Sequence, residues 1–314
     1  MNTTVDICRY SSENKNAWDS FVKNSKNATF LHYRDFMEYH ADRFVDHSLL
    51  FSVNGELVGV LPACIDNDIL KSHAGLTYGG ILTNQKMTAE RMLFVFESLV
   101  QYLRKNHFRS FLYKPVPHIY HAQPAEEDLY AMFRFGGVLT RVDASSTVNM
   151  HDRLPFSKGK KSGVKKASSA RVVSEESRDF KTTWSILEEN LASRHEARPT
   201  HSLAEMEYLA GKFPENIRLF NATREGEVLG AMVVFDCGQV AHAQYITSST
   251  EGRDLGALDY LTNSLLNEYF ARHRWFDFGI STTDQGRNLN AGLARQKEMF
   301  GARTTLYQHY ELKV

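Results

Sequence analysis

The sequence predicts an α/β protein with two tandem domains, each built on a mixed β-sheet with crossover helices. Three observations predict it. The same hairpin pattern occurs in both halves, a strand and an amphipathic helix follow each hairpin, and a glycine-bearing turn precedes each closing strand. A chain of 314 residues, 42% of them hydrophobic, is also long enough to bury two separate cores.

Each hairpin consists of two β-rich runs around a two-residue turn. In chain order, the runs and turns are 49–53, Asn54-Gly55 and 57–64, then 217–222, Glu225-Gly226 and 228–235. Asn-Gly between apolar runs is the strongest short hairpin signal. The turns continue into Gly-Glu-Leu-Val-Gly-Val at 55–60 and Gly-Glu-Val-Leu-Gly-Ala at 226–231, so the two halves predict related folds.

The elements after each hairpin correspond as well. A strand, a long helix and a short strand are predicted at 76–82, 92–103 and 111–114, and again at 240–247, 258–269 and 275–280. A second helix and a closing strand follow in each half. The boundary is placed in 149–171, where prolines, glycines and lysines interrupt the periodicity, giving an N-terminal domain at 1–150 and a C-terminal domain at 151–314.

Charge and cysteine content narrow the possible functions. Lysine plus arginine and aspartate plus glutamate both number 37, so no overall field favours nucleic acid or anionic membranes. Cys8, Cys64 and Cys237 lack the spacing of a disulfide framework or zinc site, and we expect no metal. Without a signal peptide or a run of 18 apolar residues, the expectation is a cytoplasmic protein without a membrane span.

The strand predicted at 240–247 runs through a glycine-containing loop into a helix. Such a loop points backbone N–H groups and the positive end of the helix dipole at an anion. The run Arg-Asp-Leu-Gly-Ala at 253–257 resembles the loop by which GNAT acyltransferases hold the pyrophosphate of acyl-CoA, although Leu258 stands where that family has Gly or Ala. A simple helix N-cap loop is the alternative. The resemblance implies an acyl-CoA donor held by Gln244, Tyr245, Arg253, Gly256 and Ala257.

A second resemblance lies near the C-terminus. Phe-Asp-Phe-Gly at 276–279, then Gly-Leu at 292–293, Lys297 and Phe-Gly at 300–301 resemble FemAB-like enzymes, which duplicate the GNAT fold. This resemblance implies aminoacyl-tRNA as the alternative donor and Lys297 as the residue that steadies charge on the reacting acyl group. Acyl transfer to an amine passes through an oxyanion, which a positioned cation stabilises. A lysine that merely faces solvent is the alternative interpretation.

Three further candidates belong to the second half. Ser281 and Asn290 bound a polar loop past the end of a strand, where α/β sheets usually bind ligands. We predict a catalytic role for Ser281 and substrate binding for Asn290, against the alternative that both are turn and capping residues. His242 is a candidate general base for the acceptor amine, and a buried structural histidine is the alternative.

A charged loop upstream offers Arg194, Arg198 and His201 as residues that gather an anionic group of the acceptor. The alternative is structural, since Ser202 followed three residues later by Glu205 predicts a capping box. The basic run at 158–166 contains five lysines and could meet phosphates, but a solvated linker helix is favoured because stacking aromatics are sparse there.

In the first half, the segment after the strand at 111–114 is held extended by two prolines. Lys114, His118 and Tyr120 would offer a cation, a titratable group and a stacking ring to a nucleotide or sugar phosphate. The FemAB resemblance implies that the first half binds a nucleotide-linked cell-wall precursor.

These observations predict an acyltransferase that moves an acyl or aminoacyl group onto an amine of a sugar, peptide or nucleotide-linked cell-envelope precursor. The first half would bind the acceptor and the second half the donor. Acyl-CoA and aminoacyl-tRNA both stay open as donors, and tRNA as a partner. The alternative is a catalytically silent binding protein that kept the fold. The oligomeric state is open.

Overall fold

Strands and helices alternate along the chain in a computed structural model that describes residues 5–195 and 199–314, without the side chains of 193–195. They form two units. The first contains the described residues up to Asp143 together with 284–288 and 306–314, and the second contains 144–283 and 289–305. The chain therefore returns to the first unit twice after entering the second. The predicted division at residue 150 places both of these returning segments in the second domain.

The first unit begins with thirteen elements in chain order among the described residues. They are β1 Val5–Arg9, α1 Lys15–Lys23, α2 Arg34–Met37, β2 Val45–Asp46, β3 Leu49–Val53, β4 Glu56–Leu61, β5 Cys64–Asp66, β6 Ile69–Lys71, β7 Leu82–Thr83, α3 Ala89–Lys105, β8 Ser110–Tyr113, α4 Glu127–Arg134 and β9 Val138–Asn149, the last of which continues into the second unit.

Two sets of strands build the sheets of the first unit. One is antiparallel in the order β1-β3-β4-β7. In the other, β2, β5 and β6 pair antiparallel, β6 pairs parallel with β8, and β8 pairs with Tyr310–Lys313 near the end of the chain. Helix α3 buries Met92, Val95, Phe96, Leu99 and Leu103, which recur at helical spacing and fill the core of this unit.

The remaining elements follow β9. They are α5 Lys158–Ser169, β10 Val173–Ser177, α6 Phe180–His195, α7 Leu203–Lys212, β11 Ile217–Arg224, β12 Glu227–Asp236, β13 Val240–Ser248, α8 Thr250–Leu255, α9 Ala257–Ser264 with a π turn at Leu265–Tyr269, β14 Trp275–Ile280, β15 Thr282–Thr283, β16 Asn288–Leu289, α10 Ala291–Glu298 and β17 Arg303–Lys313.

The sheet of the second unit runs β10-β11-β12-β13-β14, and β14 then pairs with the end of β9. All these pairs are antiparallel except β13 with β14, which are parallel. Buried side chains from these strands and from α9, among them Phe220, Met232, Leu261 and Phe276, form its core. The predicted mixed α/β fold is confirmed.

Both predicted hairpins are confirmed. Asn54 and Gly55 have φ of 52° and 79°, and Glu225 and Gly226 have φ of 53° and 84°. Two consecutive residues with positive φ match the twist of the flanking strands, which is why such turns join hairpins. The predicted strand at 275–280 also has the observed bounds.

Two predicted elements are wrong in part. The strand at 76–82 is absent except for its last residue, and the chain instead forms the short hairpin of β5 and β6 just before it. Gly80, with φ of +76°, interrupts the extended backbone there. The helix predicted at 258–269 ends at Ser264, where a π turn replaces the regular helix.

Candidate functional site

A gap between two parallel strands creates the candidate site of the second unit. Strands β13 and β14 pair only at residues 240–242 with 275–277, the last pair being His242 with Asp277. Beyond it, a β-bulge disturbs the pairing of β13 with β12, and Gly279 takes a left-handed φ of +76° in β14. Side chains of both strands past this point line a pocket, since the pair no longer closes the sheet.

The pocket has a volume of about 570 Å³. Its walls are largely apolar, with polar and charged groups at a few places, as is usual for small-molecule sites. The lining residues include Leu187, Leu191, Met232, Ile246, Leu258, Phe278, Leu293 and Phe300, with Lys160, Asn190, Ser248, Arg253, Asp259 and Lys297. A ligand in this pocket would therefore meet an apolar surface and a small set of charges.

Lys297 is one of those charges. It lies on α10, which Asn290 caps by accepting the backbone N–H of Leu293 at 3.0 Å. Its side chain is 7% exposed, and Nζ donates to the carbonyl oxygens of Gly279 and Ile280, each at 2.8 Å. Burial lowers the pKa of Lys297 to about 8, with nearby Asp277 opposing the shift. The solvent-facing interpretation is therefore wrong.

His242 lies beside Gly279, outside the pocket lining. Its Nδ1 is 2.9 Å from Oδ2 of Asp277, which is fully buried. A Cβ built on Gly279 would be 3.5 Å from Cε1 of His242, and the Gly279 carbonyl contacts Lys297. The residue Gly279 thus borders both predicted catalytic side chains.

Ser281 follows directly after β14. It is 3% exposed, and its Oγ has no hydrogen-bond partner among the residues that the structure describes. Its backbone is fixed, because its N–H donates to Ala144 and its carbonyl accepts from Asn290, both at 2.8 Å. A buried hydroxyl group without a hydrogen-bond partner costs free energy of folding, so a functional role is one explanation for Ser281. Its catalytic role stays a prediction.

Arg253 donates hydrogen bonds to three neutral groups. Its guanidinium donates to the Asn190 side chain at 3.0 Å, to the Ser248 carbonyl at 2.6 Å and to the Thr250 hydroxyl at 2.8 Å. These acceptors are all neutral, so they orient the group without neutralising its charge. An anion in the pocket would find this charge already positioned.

The loop predicted to hold a pyrophosphate is largely helical, since residues 253–255 end α8, Gly256 has a left-handed φ of 77° and Ala257 begins α9. Its backbone N–H groups are engaged within the protein, since Gly252 donates to Oγ of Ser249 and Arg253 to the carbonyl of Ser249. A Cβ on Gly256 would lie 2.8 Å from the carbonyl oxygen of Gly163 in α5. Ala257 is buried behind this contact. Gly252, Arg253 and Gly256 nevertheless line the pocket, so a ligand in the pocket could contact this part of the chain on its other side.

Gln244 and Tyr245 lie at the bulge of β13, and they do not line the pocket. The hydroxyl of Tyr245 is 2.6 Å from Nδ1 of His201 and also accepts the backbone N–H of His201 at 3.1 Å. His201 precedes the capping box of Ser202 and Glu205, which is confirmed. The structure therefore ties Tyr245 and His201 together as a link between β13 and the loop before α7.

Arg198 and the side chain of Arg194 lie outside the described residues. The lysine run forms α5, which confirms the helix, and Lys160 there pairs with Asp259 at 2.7 Å. Of the residues predicted in the first unit, Lys114 donates to the carbonyl of Leu76, and burial lowers its pKa to about 8.

His118 and Tyr120 share a short 3-10 helix but point to different surroundings. His118 is exposed, whereas Tyr120 is 3% exposed and its hydroxyl is 2.7 Å from that of Tyr307. The Tyr120 ring packs on Tyr78 with centroids 4.5 Å apart, so it belongs to the core and does not present an open stacking face.

Sequence reasoning did not predict a role for Asp277 or Asn190, and it favoured a solvated linker helix for the basic run that contains Lys160. Asp277 carried a usable signal, because an acidic residue between Phe276 and Phe278 in an apolar strand must be paired if it is buried. Asn190 carried none, since it reaches the pocket from a helix whose packing the sequence does not specify.

Comparison with known proteins agrees with this geometry. Residues 158–285, nearly all of them in the second unit, match the sequence family described as an acetyltransferase (GNAT) domain. No curated protein sequence matches the chain. No helix among the described residues is long and apolar enough to cross a membrane.

Solved structures extend the similarity to the whole chain. FemX is similar with a TM-score of 0.69 at 13% identity, over 98% of this chain and 97% of that one. L-PGS from Bacillus licheniformis is similar with a TM-score of 0.63 at 11% identity, over 96% and 92%. A tandem GNAT protein from the clavulanic acid biosynthesis pathway gives 0.52 at 12% identity, over 98% of each chain. The chain has a FemAB-like tandem GNAT fold.

Proposed function

We propose that this protein is an N-acyltransferase that moves an acyl or aminoacyl group onto an amine of a cell-envelope precursor. The observation that carries the proposal is the buried ammonium group of Lys297, held by two carbonyl oxygens at the wall of a pocket that is also lined by residues of the segment matching the GNAT family. The similarity to FemX and to L-PGS supports the envelope acceptor, as does the sequence resemblance to FemAB-like enzymes.

The chemistry needs a positive charge near the reacting carbonyl. The acceptor amine attacks the carbonyl carbon of an ester or thioester, and negative charge develops on the carbonyl oxygen. Two backbone carbonyls already fix the ammonium of Lys297, so little reorganisation is required when this charge appears. Lys297 would stabilise the oxyanion, and the N–C bond would form as the bond to the leaving oxygen or sulfur breaks.

The donor carries phosphate groups in both candidate classes. In the proposal, Arg253 meets a phosphate, because its guanidinium lines the pocket and is oriented by neutral groups. Gly252 and Gly256 also line the pocket, so acyl-CoA stays a candidate donor in the proposal. The resemblance of the Lys297 motif to FemAB-like enzymes favours an aminoacyl-tRNA donor.

A thermal-shift titration with acetyl-CoA, coenzyme A and a mixed aminoacyl-tRNA pool tests the donor. A ligand that binds the native state raises the melting temperature, and the rise grows with the logarithm of the ligand concentration above the dissociation constant. We expect a rise with aminoacyl-tRNA that the Arg253→Gln variant loses. Arg224→Gln is the matched control, because Arg224 is already paired with Glu251.

A rise with acetyl-CoA but not with aminoacyl-tRNA would make acyl-CoA the donor. The absence of a shift with all three ligands at saturating concentration would contradict an acyl-transfer function and favour the silent binding protein. Binding of the first unit to an anionic acceptor through Lys114 stays part of the proposal.

A further inference from the structure

Asp277 is a charged residue in the most buried part of the second unit. It is 0% exposed, and its neighbours in β14, Phe276 and Phe278, belong to the core. An ionised carboxylate in such surroundings is costly unless several donors surround it. Asp277 can therefore be ionised at this position only if specific hydrogen-bond donors surround it.

The groups that hydrogen-bond to this carboxylate include four donors. Oδ1 accepts the hydroxyl of Ser145 at 2.5 Å, the hydroxyl of Thr147 at 3.2 Å and the backbone N–H of Gly279 at 3.2 Å. Oδ2 is 2.9 Å from Nδ1 of His242. One oxygen thus anchors the carboxylate, and the other faces the imidazole.

Strand register explains this arrangement. Strand β14 lies between β9 and β13, and Asp277 is directly opposite Thr147 on one side and His242 on the other. Side chains at paired positions point to the same face of a sheet, so the three meet in a row. The pair with His242 is also the last before β13 and β14 separate, which brings the row to the edge of the gap.

An acceptor at Nδ1 decides which imidazole nitrogen carries the proton. A carboxylate cannot donate, so Nδ1 must be the protonated nitrogen and Nε2 keeps its lone pair. We propose that Asp277 is a positioning residue, which holds His242 in this tautomer and orientation so that Nε2 takes the proton of the attacking amine. The inference rests on the proposed acyl transfer.

The proton balance of the step is complete. The amine nitrogen forms its bond to the carbonyl carbon and gives one proton to Nε2 of His242. The bond from that carbon to the leaving oxygen or sulfur breaks, and the imidazolium returns the proton to the leaving atom. Asp277 stays ionised beside the transient imidazolium, and Lys297, which contacts the same Gly279, keeps its own proton.

Histidine tautomers can be read without any substrate. With ¹⁵N-histidine labelling and long-range ¹H–¹⁵N spectra, we expect His242, assigned by its loss in His242→Asn, to be protonated at Nδ1 in the wild-type protein. In Asp277→Asn the new amide can donate to Nδ1, so the proton should move to Nε2. If Asp277→Asn does not fold, Thr147→Val can replace it as the test, because it preserves side-chain shape and removes one donor to the carboxylate. We then expect His242 to be a mixture of the two tautomers.

The chain provides a matched control pair. Nε2 of His273 is 3.0 Å from Oδ1 of Asp236, at a partly exposed position of the same unit. Asp236→Asn should alter the His273 signals and leave those of His242 unchanged. A wild-type His242 protonated at Nε2, or one that Asp277→Asn does not change, would overturn the inference.

Enzyme kinetics then distinguish a positioning role of Asp277 from a role in stability alone. With an acyl-transfer assay, Asp277→Asn and His242→Asn should each lower kcat by about 100-fold or more with KM nearly constant, and the double variant should be no worse. Full kcat in Asp277→Asn with the tautomer changed would overturn the role. A missing donor shift would instead contradict the proposed function, since the tautomer result does not depend on a donor.

Discussion

Each unit of the molecule contains a lysine whose ammonium group donates to backbone carbonyl oxygen, and Lys114 is half-buried whereas Lys297 is buried. Lys114 donates to Leu76 in the first unit, and Lys297 donates to Gly279 and Ile280 in the second. Burial lowers the pKa of both to about 8. The two ammonium groups thus have similar hydrogen-bond partners and similar pKa values, although Lys114 precedes a proline and Lys297 lies on a helix.

Their electrostatic neighbours differ. Asp277 acts on Lys297 and raises its pKa. Arg141 and Lys71 act on Lys114 and lower its pKa, while Cys64 raises it. Lys114, which has other cations nearby, is suited to bind an acceptor that always carries a negative charge. Lys297, which has a carboxylate nearby, is suited to stabilise a negative charge that appears only in the transition state. This difference supports the proposed roles of Lys114 in binding and of Lys297 in catalysis.

The largest expected effect separates these two roles in an acyl-transfer assay. Lys297→Met should lower kcat by about 100-fold or more, since it removes a group that stabilises developing charge. Lys114→Met should mainly raise KM for the acceptor, because uniform binding is lost. Initial rates over a grid of donor and acceptor concentrations measure both.

Arg295→Gln is the control for Lys297, since it changes an exposed charge on the same helix. An unchanged kcat in Lys297→Met would remove Lys297 from the mechanism, and a loss of kcat alone in Lys114→Met would reverse the assignment of the two lysines.

The next effect concerns acid stability of the first unit. Burial lowers the pKa of His32 to about 4, against an ordinary value near 6.5. Between these values the unfolded chain binds a proton that the folded chain does not, so stability falls as the pH drops. From this residue we expect a loss of about 2 kcal/mol in the free energy of unfolding between pH 8 and pH 5.

Urea titrations at the two pH values can measure the loss, with Trp18 as the reporter of the first unit after Trp184 and Trp275 are changed to Phe. His32→Asn keeps an acceptor for the backbone N–H of Thr29 and should reduce the loss between the two pH values by about 2 kcal/mol. The lowered pKa values of His73 and His309 keep a remaining pH dependence. The exposed His118→Asn should not reduce the loss. Equal pH dependence in His32→Asn and the wild type would exclude His32 as the cause.

A smaller effect tests the two lysine environments directly. Asp277→Asn should lower the pKa of Lys297 further, because the carboxylate that raises it is removed. Arg141→Gln should raise the pKa of Lys114, since a like charge is removed. Competitive labelling with trace acetic anhydride across pH 6 to 11, read by mass spectrometry, gives both pKa values, and shifts in the same direction would contradict the comparison.

The sequence predicted what local chemistry determines. The turns Asn54-Gly55 and Glu225-Gly226 located both hairpins, and the Lys297 motif pointed to a residue that the structure places in the pocket wall. The row formed by Asp277 and His242 was not predictable, because it depends on the register of two parallel strands joined through a long connection. The pocket charges Arg253 and Lys297 come together for the same reason, through tertiary packing.

The smallest expected effect uses the repeat itself. Asn54 and Glu225 occupy equivalent turn positions with φ of 52° and 53°, in the left-handed region that Asn tolerates better than Glu. Glu225→Asn should therefore stabilise the second unit by about 0.5 to 1 kcal/mol, and Asn54→Glu should destabilise the first by a similar amount. Urea titrations followed through Trp184 and Trp18 respectively would measure the two changes. Effects of the same sign would mean that contacts outside the turns, and not backbone conformation, decide which residue each hairpin accepts.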